Sequence, residues 1–125
     1  IVGFCMGGSL SLLTATEDFG LAGIVPFYAG LSRNFGGAGT VLDRAESVKC
    51  PVLGLFGGAD QGIPQEQVQE LDQKLDTAGV EHEITIYPGA PHSFFDRRAV
   101  DFADASADAW RRIANFIAAH SAQMK

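Results

Sequence analysis

Three side chains in the sequence have the types and the order needed for nucleophilic chemistry. They are the thiol of Cys5, the carboxylate of Asp60 and the imidazole of His92. A thiolate can attack a carbonyl carbon, an imidazole can carry the protons of that attack, and a carboxylate can orient the imidazole and stabilise its charged form. Each follows a separate apolar run and is flanked by glycine or proline. We interpret the three as one catalytic set, because they occur in the order nucleophile, acid, histidine.

The segment around Cys5 has the pattern of a nucleophile elbow. Residues 3–7 fit G-x-S-x-G with cysteine in the serine position. A strand that turns at once into a helix strains the backbone of the nucleophile, so glycine is expected at both flanking positions, Gly3 and Gly7. The N–H of Met6 would then face a developing oxyanion, and the helix N-terminus would favour a thiolate. The alternative for Cys5 is a small buried core residue.

Other sites that bind phosphates, cofactors or metals fit the sequence less well. A phosphate loop needs lysine after its second glycine, and a dinucleotide fingerprint needs glycine where Cys5 stands. His82 and His120 lack the spacing of metal ligands, so both are predicted to be surface residues. We therefore expect neither a metal nor a cofactor. Cys50 is interpreted as structural, and a solvated helix face is predicted for the acidic residues Glu66, Glu70, Asp72 and Asp76.

Four arginines near the carboxyl terminus could hold an anionic substrate. Arg97 and Arg98 lie nearest His92 in sequence and are the candidates for substrate binding. Pairing with acidic residues on the surface is the simpler interpretation for the group. The arginines concerned are Arg97, Arg98, Arg111 and Arg112, and their candidate partners are Asp96, Asp101 and Asp108.

The catalytic set depends on alternating strands and helices for its placement. Apolar runs predict strands at 1–4, 21–28, 51–56 and 83–87. Helices are predicted from residue 6 to just before Gly20, within 43–48, between Pro64 and Gly79, and over 105–119. The last helix is predicted to place Ala109, Ile113, Phe116 and Ile117 on one face, with Trp110 beside them. This alternation predicts an α/β fold, a single domain over 1–125 in which helices cover both faces of a parallel sheet.

Composition and charge exclude several classes of protein. The net charge of −6 argues against a nucleic-acid-binding protein, because phosphates are neutralised by basic surfaces. No apolar run reaches the length of a membrane span, so no membrane partner is expected. Two cysteines are too few for a disulfide framework, which favours a reducing compartment, the cytoplasm. The sequence opens inside an apparent strand at Ile1, from which we expect a piece of a longer chain.

These motifs resemble the dienelactone hydrolase (carboxymethylenebutenolidase-like) family of α/β-hydrolases. The resemblance rests on residues 3–8, on residues 51–57 leading to Asp60, on residues 91–94, and on residues 107–112 followed by Phe116. It covers nearly the whole chain, but only the carboxyl-terminal half of a family member. A cysteine in the elbow is unusual among α/β-hydrolases, which makes the resemblance fairly specific.

The resemblance implies a function and a role for each site residue. Cys5 is implied as nucleophile, His92 as base, Asp60 as its partner, and the Met6 N–H as part of the oxyanion hole. The family's amino-terminal half supplies a second oxyanion N–H and an acidic residue that controls the thiol. Members that act on dienelactone place an arginine four residues after the histidine, where this sequence has Asp96.

The expected activity is hydrolysis of a small carboxylic ester or lactone through an acyl-enzyme. Two alternatives stay open at this point. One is a relative that acts on another acyl substrate, such as a thioester or a peptide, because the fold does not separate these. The other is a catalytically silent binding module that recruits partners through an unpaired sheet edge.

Overall fold

The computed structural model describes residues 1–37 and 39–121. Strands and helices alternate along the chain, as the apolar runs predict. The strands are β1 (Val2–Phe4), β2 (Val25–Phe27), β3 (Val52–Gly57) and β4 (His82–Tyr87). The α-helices are α1 (Met6–Thr14), α2 (Val41–Arg44), α3 (Gln65–Ala78) and α4 (Ala103–Ser121), and a 3₁₀ helix (Ala45–Ser47) follows α2.

The four strands form one parallel sheet in the order β1-β2-β3-β4. Phe4 pairs with Phe27, and Phe27 pairs with Leu55, so the carboxyl ends of the first three strands lie side by side. Every residue of β3 is buried, which requires cover on both faces of the sheet at that strand. The predicted α/β architecture with a parallel sheet is confirmed.

Helix α3 shows how the sequence selects its elements. Val68, Leu71 and Leu75 recur at helical spacing and are fully buried, whereas most of the intervening side chains are polar. The helix ends at Gly79, which adopts the left-handed conformation at φ 74° that glycine accepts without steric cost. The crossover thus returns the chain to the amino end of the sheet, where β4 begins.

Three boundaries differ from the prediction. Helix α1 ends at Thr14, well before Gly20, and just past its end the Thr16 hydroxyl donates to the Leu13 carbonyl at 2.6 Å. Strand β2 is shorter than 21–28, since only Ile24 bridges to Val52 before it, and Pro51 has no N–H to extend that ladder. Helix α2 begins earlier than residue 43, because Thr40 caps it. The Thr40 hydroxyl accepts from the Asp43 N–H at 3.1 Å, and the Asp43 carboxylate accepts from the Thr40 N–H at 2.9 Å.

The buried face of α4 is narrower than predicted. Ala109 and Ile113 are buried as expected, but Ile117 is 49% exposed and Trp110 is 63% exposed. Ile117 lies in an open groove with Ile1 and Val2, beside the edge strand β1. Ile117 is thus the member of the predicted face that stays exposed, because the described residues place no further layer over that edge. Among the described residues, no helix combines the length and apolarity required to cross a bilayer.

Candidate active site

Cys5 occupies a strained turn between β1 and α1. Its backbone has φ 58° and ψ −118°, in the region that side chains other than glycine rarely adopt. The Cys5 N–H donates to the Phe27 carbonyl at 3.0 Å, and the Cys5 carbonyl accepts from the Gly8 N–H at 2.9 Å. These bonds attach the turn to the neighbouring strand and to the first turn of the helix. They hold the thiol, which is exposed, in a conformation that costs free energy.

The glycines of the elbow have unequal roles, which partly corrects the prediction. A Cβ on Gly3 would lie 2.2 Å from the Gly7 carbonyl oxygen, so glycine is required there. A Cβ on Gly7 would meet no atom within 4 Å, whereas one on Gly8 would lie 2.8 Å from the Phe27 carbonyl oxygen. The close approach between helix and sheet therefore falls on Gly8, and the expectation that Gly7 is needed for space is wrong.

His92 lies between the thiol and the carboxylate. Its Nε2 is 3.2 Å from Cys5 Sγ, and its Nδ1 is 2.6 Å from Asp60 Oδ2. The imidazole is 40% exposed, whereas the Asp60 carboxylate is only 3% exposed. The second oxygen of Asp60, Oδ1, accepts from the Gly62 N–H at 3.0 Å. The carboxylate is thus fixed on both oxygens, and it orients a histidine that is open to solvent on one side.

Two loops bring Asp60 and His92 together across 32 positions of sequence. A Cβ on Gly57 would lie 2.3 Å from the Ala90 carbonyl oxygen, so the loops after β3 and β4 approach as closely as backbone permits. The same carbonyl accepts from the Ala59 N–H at 2.9 Å. All three predicted side chains meet at the carboxyl end of the sheet, where ligands of open α/β folds gather.

Tyr28 is a residue of this site that the sequence analysis missed. Its ring lies 4.8 Å from the His92 ring, between centroids, and its backbone has a positive φ of 34°. The side chain is fully buried, and its hydroxyl has no hydrogen-bond partner among the described residues. Burial, followed by the nearby charge of Asp96, raises the pKa of the phenol. Its position directly after β2, at the carboxyl end of the sheet, could have indicated it.

Met6 is the first residue of α1, where a backbone N–H has no acceptor within the helix. It directly follows the exposed Cys5 in the chain.

The two arginines that are candidates for substrate binding make no polar contact with His92 among the described residues. Arg98 pairs with Asp101 at 3.5 Å, and its guanidinium lies 5.2 Å from the centre of the Phe102 ring. The Arg97 side chain is exposed. Among the described residues, no hydrogen bond or ion pair connects either guanidinium to His92. The predicted surface pairing is confirmed for Arg98, and also for Arg111 and Arg112, which both pair with Asp108.

The remaining candidates fall into two groups. Cys50 is 4% exposed, as expected of a structural residue, and burial raises the pKa of its thiol. The prediction that the other histidines are plain surface residues is wrong, since their side chains are only 11% and 13% exposed. His82 Nε2 lies between the carboxylates of Asp72 and Asp76, and His120 Nε2 lies 2.8 Å from Glu81. Sequence spacing does not show these contacts, because each joins a histidine to a different element or loop.

Comparison with known proteins gives consistent results. The model of the dienelactone hydrolase family matches residues 1–121. The relative named "Putative carboxymethylenebutenolidase" from Escherichia coli O157:H7 is 37% identical over 116 residues, which cover 90% of this chain and 43% of that protein. The chain thus spans less than half the length of this curated relative.

Solved structures show the same partial coverage. The crystal structure named as a putative dienelactone hydrolase from Klebsiella pneumoniae has a TM-score of 0.81 and 32% identity, and covers 94% of this chain and 50% of that one. A dienelactone hydrolase-like promiscuous phosphotriesterase from metagenomic libraries has a TM-score of 0.77 and 25% identity, and covers 95% of this chain and 51% of that one. The chain has a parallel sheet and forms part of an α/β-hydrolase domain. Because the family model matches nearly all of its residues, the chain belongs to the dienelactone hydrolase family.

Proposed function

We propose that this chain carries the catalytic residues of a hydrolase that cleaves small carboxylic esters or lactones through an acyl-enzyme on Cys5. The observation that carries the proposal is the position of His92, 3.2 Å from the Cys5 sulfur and 2.6 Å from the Asp60 carboxylate. This is the arrangement of a nucleophile, a general base and the group that orients the base. Family membership supports the reaction class.

The proposed reaction begins with proton transfer and attack. His92 Nε2 accepts the thiol proton of Cys5, and the thiolate sulfur forms a bond to the carbonyl carbon of the substrate. The carbonyl oxygen becomes an oxyanion, and the Met6 N–H donates to it. When the intermediate collapses, the bond to the alkoxide breaks, and that oxygen takes the proton from His92. A thioester between Cys5 and the acyl group remains.

Hydrolysis of the thioester regenerates the enzyme. His92 removes a proton from water, the hydroxide attacks the thioester carbonyl, and the departing sulfur recovers a proton from His92. The Asp60 carboxylate stabilises the imidazolium in both halves of the cycle, because it is buried and held at Nδ1. The second donor of the oxyanion hole and the acidic residue that controls the thiol are proposed to come from outside these residues, as the family resemblance implies.

Acylation by p-nitrophenyl acetate tests the nucleophile. The full-length gene product is exposed briefly to the ester, and its intact mass and the released nitrophenol are measured together. We expect one acetyl group on Cys5 and a burst of nitrophenol of equal amount. Cys5→Ala should remove both, whereas Cys50→Ala, which alters the other cysteine of these 125 residues, should keep them. A burst that persists in Cys5→Ala would refute the nucleophile.

Measuring which substrates the enzyme hydrolyses distinguishes the proposal from its two alternatives, another acyl substrate and a silent binding module. Aryl esters, lactones, acyl thioesters and peptides are assayed with the same enzyme, and a phosphotriester is added because of the activity named for the metagenomic relative. The proposal expects the highest kcat/KM for an ester or a lactone. Preference for a thioester or a peptide would move the enzyme to another acyl substrate, and no turnover of any of them would favour a silent binding module. We place the enzyme in the cytoplasm, where reduced thiols persist.

A further inference from the structure

The loop that carries His92 is attached to a helix that comes later in the chain. Ser106 is the fourth residue of α4 and is 7% exposed, and its hydroxyl donates to the Phe94 carbonyl at 3.2 Å. Phe94 lies two positions after His92. We propose that Ser106 is a positioning residue of the active site, whose hydrogen bond to Phe94 keeps His92 directed at Cys5. This inference rests on the proposed function, in which His92 is the general base.

The backbone between His92 and Phe94 has a conformation that favours glycine. Ser93 has a φ of 64°, in the left-handed region that residues with a side chain rarely adopt. Such a conformation persists only where the surrounding structure holds it. Here it separates an imidazole that is 40% exposed from a phenyl ring that is fully buried. Relaxation of Ser93 to a negative φ would change the direction of the His92 side chain relative to Phe94, so whatever fixes Phe94 also fixes His92.

Phe94 is held both at its ring and at its backbone. The ring centroid lies 5.6 Å from that of Tyr28 and 5.2 Å from that of Tyr87. The carbonyl accepts from Ser106, and among the described residues no backbone N–H donates to it. Loss of the Ser106 hydroxyl would therefore free the backbone of Phe94 while the ring stays packed in the core. We expect such a protein to fold and to hold His92 less precisely.

The hydrogen bond of Ser106 differs from that of an ordinary helical serine. A serine within a helix usually faces solvent or bonds to the carbonyl four residues before it. The Ser106 side chain is buried and bonds to a loop carbonyl 12 positions before it. Its helix is fixed to the sheet, because the Tyr87 hydroxyl at the end of β4 donates to Asp108 at 2.7 Å. Ser106 thus connects the His92 loop to a support whose position β4 already sets.

Acylation kinetics of the full-length gene product test the role of Ser106. The nitrophenol burst is measured over a range of p-nitrophenyl acetate concentrations, which gives the acylation rate constant and the half-saturating concentration separately. In Ser106→Ala the rate constant should fall between about tenfold and about a hundredfold, the latter being the loss possible when a group is misplaced by about 1 Å. The half-saturating concentration should change little, because the lost interaction is not with the substrate. Ser106→Thr keeps a hydroxyl and should restore most of the rate.

The choice of leaving group distinguishes a displaced histidine from a general loss of structure. The p-nitrophenolate ion leaves without a proton, whereas an alkyl ester releases an alkoxide that takes a proton from His92. Ser106→Ala should therefore lose more kcat/KM on an alkyl acetate than on p-nitrophenyl acetate. A fall by the same factor on both esters would contradict a role through His92.

Thr16→Val is the matched control for the loss of a buried hydroxyl. Thr16 is also 7% exposed, and its hydroxyl donates to the Leu13 carbonyl beyond the end of α1 that is opposite Cys5. Both substitutions should lower the midpoint of urea unfolding, but only Ser106→Ala should slow acylation. Equal acylation rates in Ser106→Ala and the parent would overturn this inference and leave the proposed function intact. Absence of an acetyl group on Cys5 in the parent would overturn both.

Discussion

At the scale of single residues, the polar groups of the site differ in whether they have a hydrogen-bond partner. Asp60 uses both carboxylate oxygens, and each ring nitrogen of His92 has a partner. Tyr28 packs against His92, yet its hydroxyl is buried with no partner among the described residues. A buried polar group without a hydrogen bond costs free energy of folding, so this hydroxyl is a local weakness.

Tyr28→Phe is therefore predicted to stabilise the protein. Removing the unpartnered hydroxyl should raise the free energy of unfolding by about 1 kcal/mol, because the desolvation penalty disappears while the ring stays in place. Tyr87→Phe is the matched control, since the Tyr87 hydroxyl donates to Asp108 at 2.7 Å, and its loss should lower the free energy by about 1 kcal/mol. Urea denaturation of both variants measures the difference. Destabilisation by Tyr28→Phe equal to that of Tyr87→Phe would show that the Tyr28 hydroxyl has a hydrogen-bond partner in solution.

At the scale of elements, the elbow shows that one motif can contain a required glycine and a replaceable one. The Gly3 Cα faces the Gly7 carbonyl across the turn, whereas the Gly7 Cα faces open space. Gly3→Ala should destabilise the protein by about 3 kcal/mol or more, since the backbone it would meet belongs to the first turn of α1. Gly7→Ala should stabilise it by about 0.5–1 kcal/mol, as alanine favours the helical conformation.

The midpoints of urea unfolding for the two glycine variants test this assignment directly. We expect them to move in opposite directions from the midpoint of the parent. If Gly7→Ala loses as much stability as Gly3→Ala, the turn has less space than the structure describes. If Gly3→Ala unfolds at the parent's midpoint, the close approach between the strand and the helix is absent in solution.

The same element shows what sequence patterns can predict. Strand, turn and helix around Cys5 follow from local apolar spacing and glycine, and the order of Asp60 and His92 after later strands predicts their meeting at one end of a parallel sheet. The contacts of His82 with Asp72 and Asp76 could not be predicted in this way, because they depend on how the end of α3 packs against the start of β4. Tyr28 was missed for a related reason, since an aromatic residue at the end of an apolar run looks like core.

At the scale of the whole molecule, the ionisable clusters lie at the two ends of the sheet and the exposed apolar side chains lie along one edge. Cys5, Asp60 and His92 meet at the carboxyl end, and His82 contacts its two carboxylates at the amino end. Large apolar side chains are exposed along β1 and the start of α1, namely those of Ile1, Val2, Phe4, Met6 and Leu10. Strand β1 is also an edge of the described sheet, so its outer N–H and C=O groups can pair with another chain.

The 125-residue chain by itself is therefore predicted to self-associate through β1. An edge strand that also exposes apolar side chains favours pairing with a second copy, because both backbone hydrogen bonds and apolar burial are gained. Val2→Lys should shift the chain toward monomer, as a charge on an edge strand opposes pairing. Val100→Lys is the matched control, since Val100 is 91% exposed and lies outside the strands, and it should leave association unchanged. Sedimentation velocity over a range of concentrations distinguishes the variants. If the unsubstituted chain stays monomeric and unfolds cooperatively, this edge needs no partner.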